Sequence, residues 1–444
     1  RPPMPPTNSA TSPLLLAVTG RPVLHSLSPA IMNAALRAKG LAGTYVRLAA
    51  ATAGEALDVV RSLGIRGLNV TAPYKPDMLA GVDRIDPEAE RIGGVNTVVN
   101  DGGFLTGYNT DHDGVVGSFA DHRLSLAGRR VVLLGAGGAA RGAARGLVRA
   151  GARLTIVNRT DAKARELADV MGCAAAPYAE LETQVRGADA VVSSLAPQLD
   201  IVAPEWLRPG QIVFDANYKG ASFYRLGKAR GCTCLSGLDW LLNQAIPAFA
   251  AFTGQSCTRA DLEPGLDQPR LDARRPIALV GFMGSGKSTV ARRLAASLKR
   301  HLVDMDDLIE QRVGKPIPRI FAEDGEASFR AAERQALEDL ADSPDLVISC
   351  GGGVVGDEAN RRVLAERTLC IWLYAAIDTV VARCAGTDRP LLAVADPAAR
   401  ARELFAVRRP LYAAVAHLLV STEHPDSYRA AENIHDEIRH TFPH

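Results

Sequence analysis

The sequence has 444 residues, a formal charge of +2, 47% hydrophobic and 23% charged side chains. That length and composition suit two or three packed domains. The near-neutral balance without a basic tract argues against a nucleic-acid partner, and no run approaches the roughly 18 apolar residues of a membrane span. A cytoplasmic protein with no membrane partner is therefore expected.

The opening RPPMPPTNSA is proline-rich and lacks the apolar core of a signal peptide. Residues 1–11 read as a disordered leader or as a segment foreign to the protein, with Met4 a candidate start. The seven cysteines include a CxC at Cys232 and Cys234, but no second pair or close histidine completes a metal set. Reduced thiols are expected.

Elements alternate from the start. A strand is expected at Leu14–Thr19, a helix at Pro29–Lys39, an extended piece at Gly43–Leu48, a helix at Ala53–Leu63 and a strand at Gly67–Val70, an α/β order. Three glycine-flanked polar clusters follow: NVTAPYK with Asn69, Thr71 and Lys75; GGVNT with Asn96 and Thr97; and GYNTDHDG with Asn109 and Asp111. Each alone could cap a turn, whereas three in one domain suggest a hydroxylated ligand.

A second unit begins after Leu126, with a strand at Arg129–Leu134 and a helix at Gly135–Arg149. Strands at Leu154–Asn158, Ala190–Ser193 and Ile212–Asp215 and a helix at Ala162–Met171 continue the order, which predicts a parallel sheet covered on both faces. VVLLGAGGAARG sets Gly135, Gly137, Gly138 and Gly142 between strand and helix, a relaxed dinucleotide fingerprint with Ala140 at its last position. The next strand ends in Asn158, Arg159 and Thr160, with Lys163 beyond. An acidic residue belongs there for NAD, whereas Arg159 suits a 2′-phosphate, so NADP(H) is favoured. Leu238–Phe252 reads as an apolar helix interrupted near Pro247 that packs back on the domain pair, and Gly254–Pro276 as a polar linker.

The third unit opens with a strand at Ile277–Val280, the loop GFMGSGKST and a helix at Ser288–Leu298. Gly281, Gly286, Lys287 and Ser288 satisfy the phosphate-loop spacing in the required strand–loop–helix context. Its backbone N–H groups would cradle phosphate, Lys287 would neutralise it and Ser288 would ligate Mg²⁺. Asp304 and Asp306 in HLVDMDDLIE are two apart and would share one face of a strand. One could organise magnesium waters and the other a substrate hydroxyl. Arg330 and Glu333 share a helix face. Gly351, Gly352 and Gly353 follow a strand at Leu346–Ser349, ahead of another at Leu369–Tyr374, and would admit a ligand to the backbone. Arg389, in a stretch suited to a lid, and Arg408 are candidate guanidinium clamps.

Residues 12 to about 254 resemble shikimate dehydrogenases through HSLSP, NVTAPYK, GGVNT, GYNTD, GAGGAARG, NRT and LLNQA. Residues 277 to about 440 resemble shikimate kinases through GFMGSGKST, VDMDDLIE, IFAEDGEASFRAAE, CGGGVV, DRPLL and RRPLY. The resemblance implies an α/β substrate-binding domain (12–125), a Rossmann NADP-binding domain (126–237), a returning helix (238–254), a linker (255–275) and a nucleoside-monophosphate-kinase-like P-loop domain (276–444). It implies that Lys75 and Asp111 form the catalytic pair, and that Ser26, Ser28, Asn69, Thr71, Asn96 and Gln244 bind the ring acid. Gly135, Ala136, Gly137, Gly138, Ala139, Asn158, Arg159, Thr160 and Lys163 would hold NADP(H). Gly284, Ser285, Gly286, Lys287, Ser288, Thr289 and Arg389 would hold ATP. Ser288 and Asp304 would serve Mg²⁺, and Asp306, Arg330, Gly351, Gly352, Gly353 and Arg408 would take shikimate.

The implied reactions are consecutive: 3-dehydroshikimate to shikimate with NADPH, then shikimate to its 3-phosphate with ATP. Departures stand at Tyr218–Gly220, where the family's proline is missing, and at Asp239–Leu241, where Trp240 interrupts the usual pattern. Both are expected near the nicotinamide side of the groove. Arg383 is the nearest match to a further family arginine before the lid, its alignment needing a gap. A broad-specificity quinate/shikimate dehydrogenase, or a binding protein without dehydrogenase turnover, is the alternative for the first half. Oligomeric state is left open.

Overall fold

The computed structural model describes residues 13–196, 201–268, 271–272, 274–385, 394–424 and 427–442. The leader, most of the lid around Arg389 and part of the linker lie outside them. Among the described residues, no helix is long and apolar enough to cross a membrane.

The chain forms two compact units, each assembled from segments that are not contiguous in sequence. The first takes Ala30–Lys39 and Asn69–Leu266; the second takes the stretch ending at Pro29, Gly40–Leu68 and the chain from Asp267 onward.

The first unit contains a parallel sheet in the order Thr233–Leu235, Ile212–Asp215, Ala190–Ser193, Arg130–Leu134, Arg153–Val157, Ala174–Ala175. Its apolar runs are buried because helices cover both faces. The strand order reverses at Arg130–Leu134, which puts a ligand crevice at that strand's carboxyl end. The helix there is Gly138–Arg149, so Gly135–Gly137, expected to be helical, form the loop instead.

Glycines set how closely the neighbouring helices approach. A Cβ on Gly142 would overlap Asp111 Cβ, and one on Gly146 would stand 2.6 Å from the His112 carbonyl oxygen. Helix Asp111–Asp121 therefore lies directly against the dinucleotide helix. On its other side, a Cβ on Gly114 would meet Trp240 Cδ1 at 2.5 Å. Trp240 is buried and also contacts Phe214 at 5.7 Å between rings. The Trp240 departure is thus packed into the core, against the helix that begins at Asp111. Pro247 sits inside an unbroken helix, Gly237–Thr253, contrary to the expected interruption.

Part of the expected linker is structured. Arg259–Leu262 is helical and Glu263–Asp267 a 3₁₀ turn. Arg259 pairs with Asp121 at 2.8 Å and Asp239 at 2.9 Å, and Asp261 pairs with Lys39 at 2.7 Å.

In the second unit, parallel strands run in the order His301–Asp304, Leu346–Ser349, Ile277–Val280, Leu369–Tyr374, Leu418–Ser421, Gly43–Ala49, Leu14–Gly20. Asp304 faces Ser349 across the ladder, bringing two carboxyl-terminal strand ends together beside the phosphate loop.

Candidate active sites

In the first unit, helix Asp111–Asp121 begins at the acidic residue singled out from sequence. Its dipole favours a carboxylate there. Asp111 Oδ2 accepts a hydrogen bond from Lys75 Nζ at 2.5 Å, with side-chain exposures of 4% and 14%. Asn96 Nδ2 donates to Asp111 Oδ1 at 2.9 Å and also lies 3.3 Å from Gln244 Oε1. Asn69 Nδ2 donates to Thr97 Oγ1 at 3.1 Å, and Thr97 Oγ1 donates to Asn96 Oδ1 at 2.8 Å. The three polar clusters therefore form one network.

GGVNT also holds the lysine's backbone, since Val95 N–H donates to the Lys75 carbonyl at 2.8 Å. Thr71 closes the turn toward Lys75 through its carbonyl, which accepts from Tyr74 N–H at 3.2 Å. Thr110 escapes the sequence reading. Its N–H donates to Asn96 Oδ1 at 2.8 Å, and its place directly before Asp111 is the available signal. Ser26 and Ser28 belong to the second unit; Ser26 is buried, and Ser28 N–H donates to Ser26 Oγ at 3.2 Å.

The glycine loop reaches this network. A Cβ on Gly138 would lie 3.8 Å from Lys75 Cδ, whereas one on Gly137 would meet nothing within 4 Å. Gly135 has φ +111° and abuts Ser194 Oγ, 2.6 Å from the position of a Cβ. The loop is thus open where a pyrophosphate would approach the start of helix Gly138–Arg149. Ala136 and Ala139 flank it. At the end of Arg153–Val157, Arg159 and Thr160 are exposed, Asn158 Nδ2 donates to the Thr160 carbonyl at 3.0 Å, and Lys163 lies in the following helix. A 2′-phosphate fits this cationic turn, which has no carboxylate from Asn158 to Thr160.

In the second unit, Gly281 (φ +152°), Gly284 (φ +72°) and Gly286 (φ +81°) take backbone conformations that favour glycine. Lys287 Nζ donates to the Gly281 and Phe282 carbonyls at 2.9 and 3.0 Å. It begins helix Lys287–Leu298, which also carries Ser288 and Thr289. Ser285 is fully buried within the loop.

Ser288 Oγ donates to Asp304 Oδ2 at 3.2 Å, a hydroxyl–carboxylate pair suited to an oxygen-seeking cation. Asp304 and Asp306 do not share a strand face as expected. Asp304 ends its strand and caps helix Met305–Val313, accepting from Asp306 N–H at 3.1 Å.

Asp306 faces the glycine triplet, its Oδ1 lying 3.0 Å from a Cβ position on Gly351. Arg330 pairs with buried Glu333 at 2.8 Å, as their shared helix face suggests, and lies 3.0 Å from a Cβ position on Gly353. Burial pushes the Glu333 carboxyl up, against the opposing pull of Arg330. Arg408 Nη1 donates to the Gly352 carbonyl at 3.3 Å. Tyr412, also absent from the sequence reading, donates its hydroxyl to the same oxygen at 2.6 Å; its position four residues after Arg408 on one helix is the signal. Arg383 contacts the phosphate loop, with Nη1 3.4 Å from the Gly284 carbonyl. Arg389 lies outside the described residues.

These geometries define the class: a dinucleotide-binding oxidoreductase and a phosphate-loop phosphotransferase in one chain. Family comparisons specify both. Shikimate dehydrogenase substrate binding domain matches residues 18–98, Shikimate / quinate 5-dehydrogenase residues 118–214 and Shikimate kinase residues 283–439. The chain is 40% identical over 273 residues to the shikimate dehydrogenase (NADP(+)) of Moorella thermoacetica, spanning 56% of this chain and 91% of that relative. It is 43% identical over 148 residues to the shikimate kinase of Bordetella pertussis, spanning 33% and 70%. The crystal structure of shikimate 5-dehydrogenase from Thermus thermophilus in complex with NADP(H) and shikimate is 35% identical, with TM-score 0.53 and coverage of 57% of this chain and 98% of that one. The chain belongs to the shikimate dehydrogenase family over its first part and to the shikimate kinase family over its last.

Proposed function

We propose that this enzyme reduces 3-dehydroshikimate to shikimate with NADPH and then phosphorylates the shikimate 3-hydroxyl with ATP and Mg²⁺. The observation that carries the reading is the Lys75–Asp111 pair at 2.5 Å, with Lys75 beside Gly138 of the dinucleotide loop.

NADPH, when bound by Gly135–Ala139 and Asn158–Lys163, supplies the hydride. Lys75 donates a hydrogen bond and a proton to the ketone oxygen as negative charge grows there. Asp111 aims Lys75 and is itself held by Asn96. Asn69, Thr71, Asn96 and Gln244, with Ser26 and Ser28, hold the ring's hydroxyls and carboxylate.

In the kinase half, ATP with Mg²⁺ supplies the phosphoryl group. Gly284–Thr289 cradle its phosphates, while Ser288 and Asp304 serve the cation directly or through water. Asp306 accepts the proton of the attacking hydroxyl. Arg330 and Arg408 fix the ring carboxylate against Gly351, Gly352 and Gly353. Arg389 steadies the transferring phosphate, and Arg383 adds positive charge beside the loop.

Steady-state rates with shikimate and quinate, each with NADP⁺ and NAD⁺, test the first half. Preference for shikimate with NADP⁺ is expected; exclusive use of quinate with NAD⁺ refutes the assignment. The second reading, a quinate-using dehydrogenase, is favoured by likeness to quinate dehydrogenase from Corynebacterium glutamicum in complex with NAD, which is 29% identical with TM-score 0.53 over 58% of this chain and 99% of that one. Arg159 weighs against it, because NAD gives that guanidinium no 2′-phosphate to bind.

A further inference from the structure

Within the second unit, the parallel sheet that carries the phosphate loop continues beyond Leu418–Ser421. That strand pairs with Gly43–Ala49, Leu419 facing Leu48 and Val420 facing Ala49. The backbone leading to Ser26 and Ser28 is tied to this junction at two places.

On helix Ser427–Thr441, one oxygen of Glu437, Oε2, accepts both Val23 N–H and Leu24 N–H at 2.7 Å each. Arg47 forms the second tie. Its Nε and Nη2 donate to the Ser26 carbonyl at 3.1 and 2.7 Å, while its Nη1 donates to the His417 carbonyl at 3.3 Å. Val23, Leu24 and Glu437 are all buried, so solvent cannot readily replace the carboxylate for those two N–H groups. The Arg21–Asp436 pair nearby, at 2.8 Å, is half-exposed and contributes little by comparison. Burying a carboxylate is costly, and the two backbone N–H groups offset part of that cost.

We infer that Glu437, supported by Arg47, is a positioning residue for the dehydrogenase. The last helix of the kinase half holds the backbone at Val23 and Leu24, Arg47 holds the Ser26 carbonyl, and the two together place Ser26 and Ser28. The inference rests on the reading above that these serines bind the ring acid. Its consequence is that dehydrogenase substrate affinity depends on the fused kinase half without any transfer of product between the two sites.

The test uses the full-length enzyme in the oxidation direction, with shikimate and NADP⁺. Glu437→Ala should raise KM for shikimate about tenfold, the effect of two orphaned buried donors loosening the loop. The kcat, the KM for NADP⁺ and the kinase rate should stay within about twofold of the parent, since only ground-state binding is touched. Glu437→Gln keeps an oxygen able to accept both N–H groups and should restore most of the affinity. Should the alanine variant fail to fold, Glu437→Asp, which withdraws the oxygen by one methylene, should give the same rise in KM.

Ser28→Ala checks the underlying reading and should itself raise KM for shikimate. Parental KM in the Glu437 variants alongside a raised KM in Ser28→Ala overturns the positioning role and leaves the serine reading intact. An unchanged KM in Ser28→Ala overturns both. Equal losses in dehydrogenase and kinase rates would show general destabilisation and also overturn the positioning role.

Discussion

Replacing Lys75 with Met removes the ammonium while keeping most of the side chain's bulk. General-acid assistance contributes about 10²–10⁴ in rate, and one donor to a developing oxyanion about 10²–10³. A fall in dehydrogenase kcat of about 10³, roughly 4 kcal/mol of barrier, is therefore expected. KM should change little, because Asn69, Asn96 and Gln244 remain. The cost in stability follows from what Asp111 retains. Its side chain is only 4% exposed, and an uncompensated buried charge can cost about 3–5 kcal/mol. Asn96 still donates to it at 2.9 Å, and the start of its helix still favours negative charge. A loss of about 1–3 kcal/mol is expected instead. NADPH consumption with 3-dehydroshikimate gives kcat, urea unfolding gives stability, and the kinase rate is the internal control. A folded variant within about threefold of the parental kcat would refute the assignment of Lys75 as proton donor.

Gly142→Val forces a side chain into Asp111, where a Cβ alone would already overlap. Overpacking should cost about 1–3 kcal/mol in urea unfolding and lower dehydrogenase kcat with the kinase spared. Arg159→Ala should raise KM for NADPH at least about tenfold while leaving KM for NADH nearly unchanged, measured by initial rates, since a charge-assisted contact to the 2′-phosphate is lost. Ser288→Ala should shift the Mg²⁺ dependence of the kinase to higher concentration and leave the dehydrogenase unaltered. His417 is pushed down to about 3 by burial, and its Nδ1 accepts from Cys370 N–H at 3.0 Å. Because the unfolded chain binds the proton more readily, this residue's contribution is present above about pH 6.5 and is lost as pH falls toward about 3, at up to about 1.4 kcal/mol per unit. His417→Asn keeps an acceptor and should flatten that slope in urea unfolding; an unchanged slope would contradict it.

Local elements are legible in the sequence where pattern and chemistry agree. Short apolar runs such as Ile277–Val280 and Leu369–Tyr374 are buried parallel strands. The glycines around Gly135 and Gly281 mark the turns into the helices Gly138–Arg149 and Lys287–Leu298. The polar clusters around Lys75, Asn96 and Asp111 are legible as a group, and the structure joins them.

Spatial relations between distant segments are less legible. Nothing local in Gly142 or Gly146 announces that Asp111 and His112 press against them. The packing partners of Trp240, Gly114 and Phe214, likewise come from elsewhere in the chain. A division at residue 125 follows linear order, whereas Gly43–Ala49 pairs with Leu418–Ser421 far along the chain. Spacing alone puts Asp304 and Asp306 on one strand, but the strand ends between them, where Asp304 caps the next helix.

The most direct measurement supplies purified enzyme with 3-dehydroshikimate, NADPH, ATP and Mg²⁺ together, then reads the product's mass and the position of its phosphate. Shikimate 3-phosphate, formed with consumption of both NADPH and ATP, is the expected result. Folded enzyme that neither oxidises NADPH with the ketone nor phosphorylates added shikimate would contradict the account.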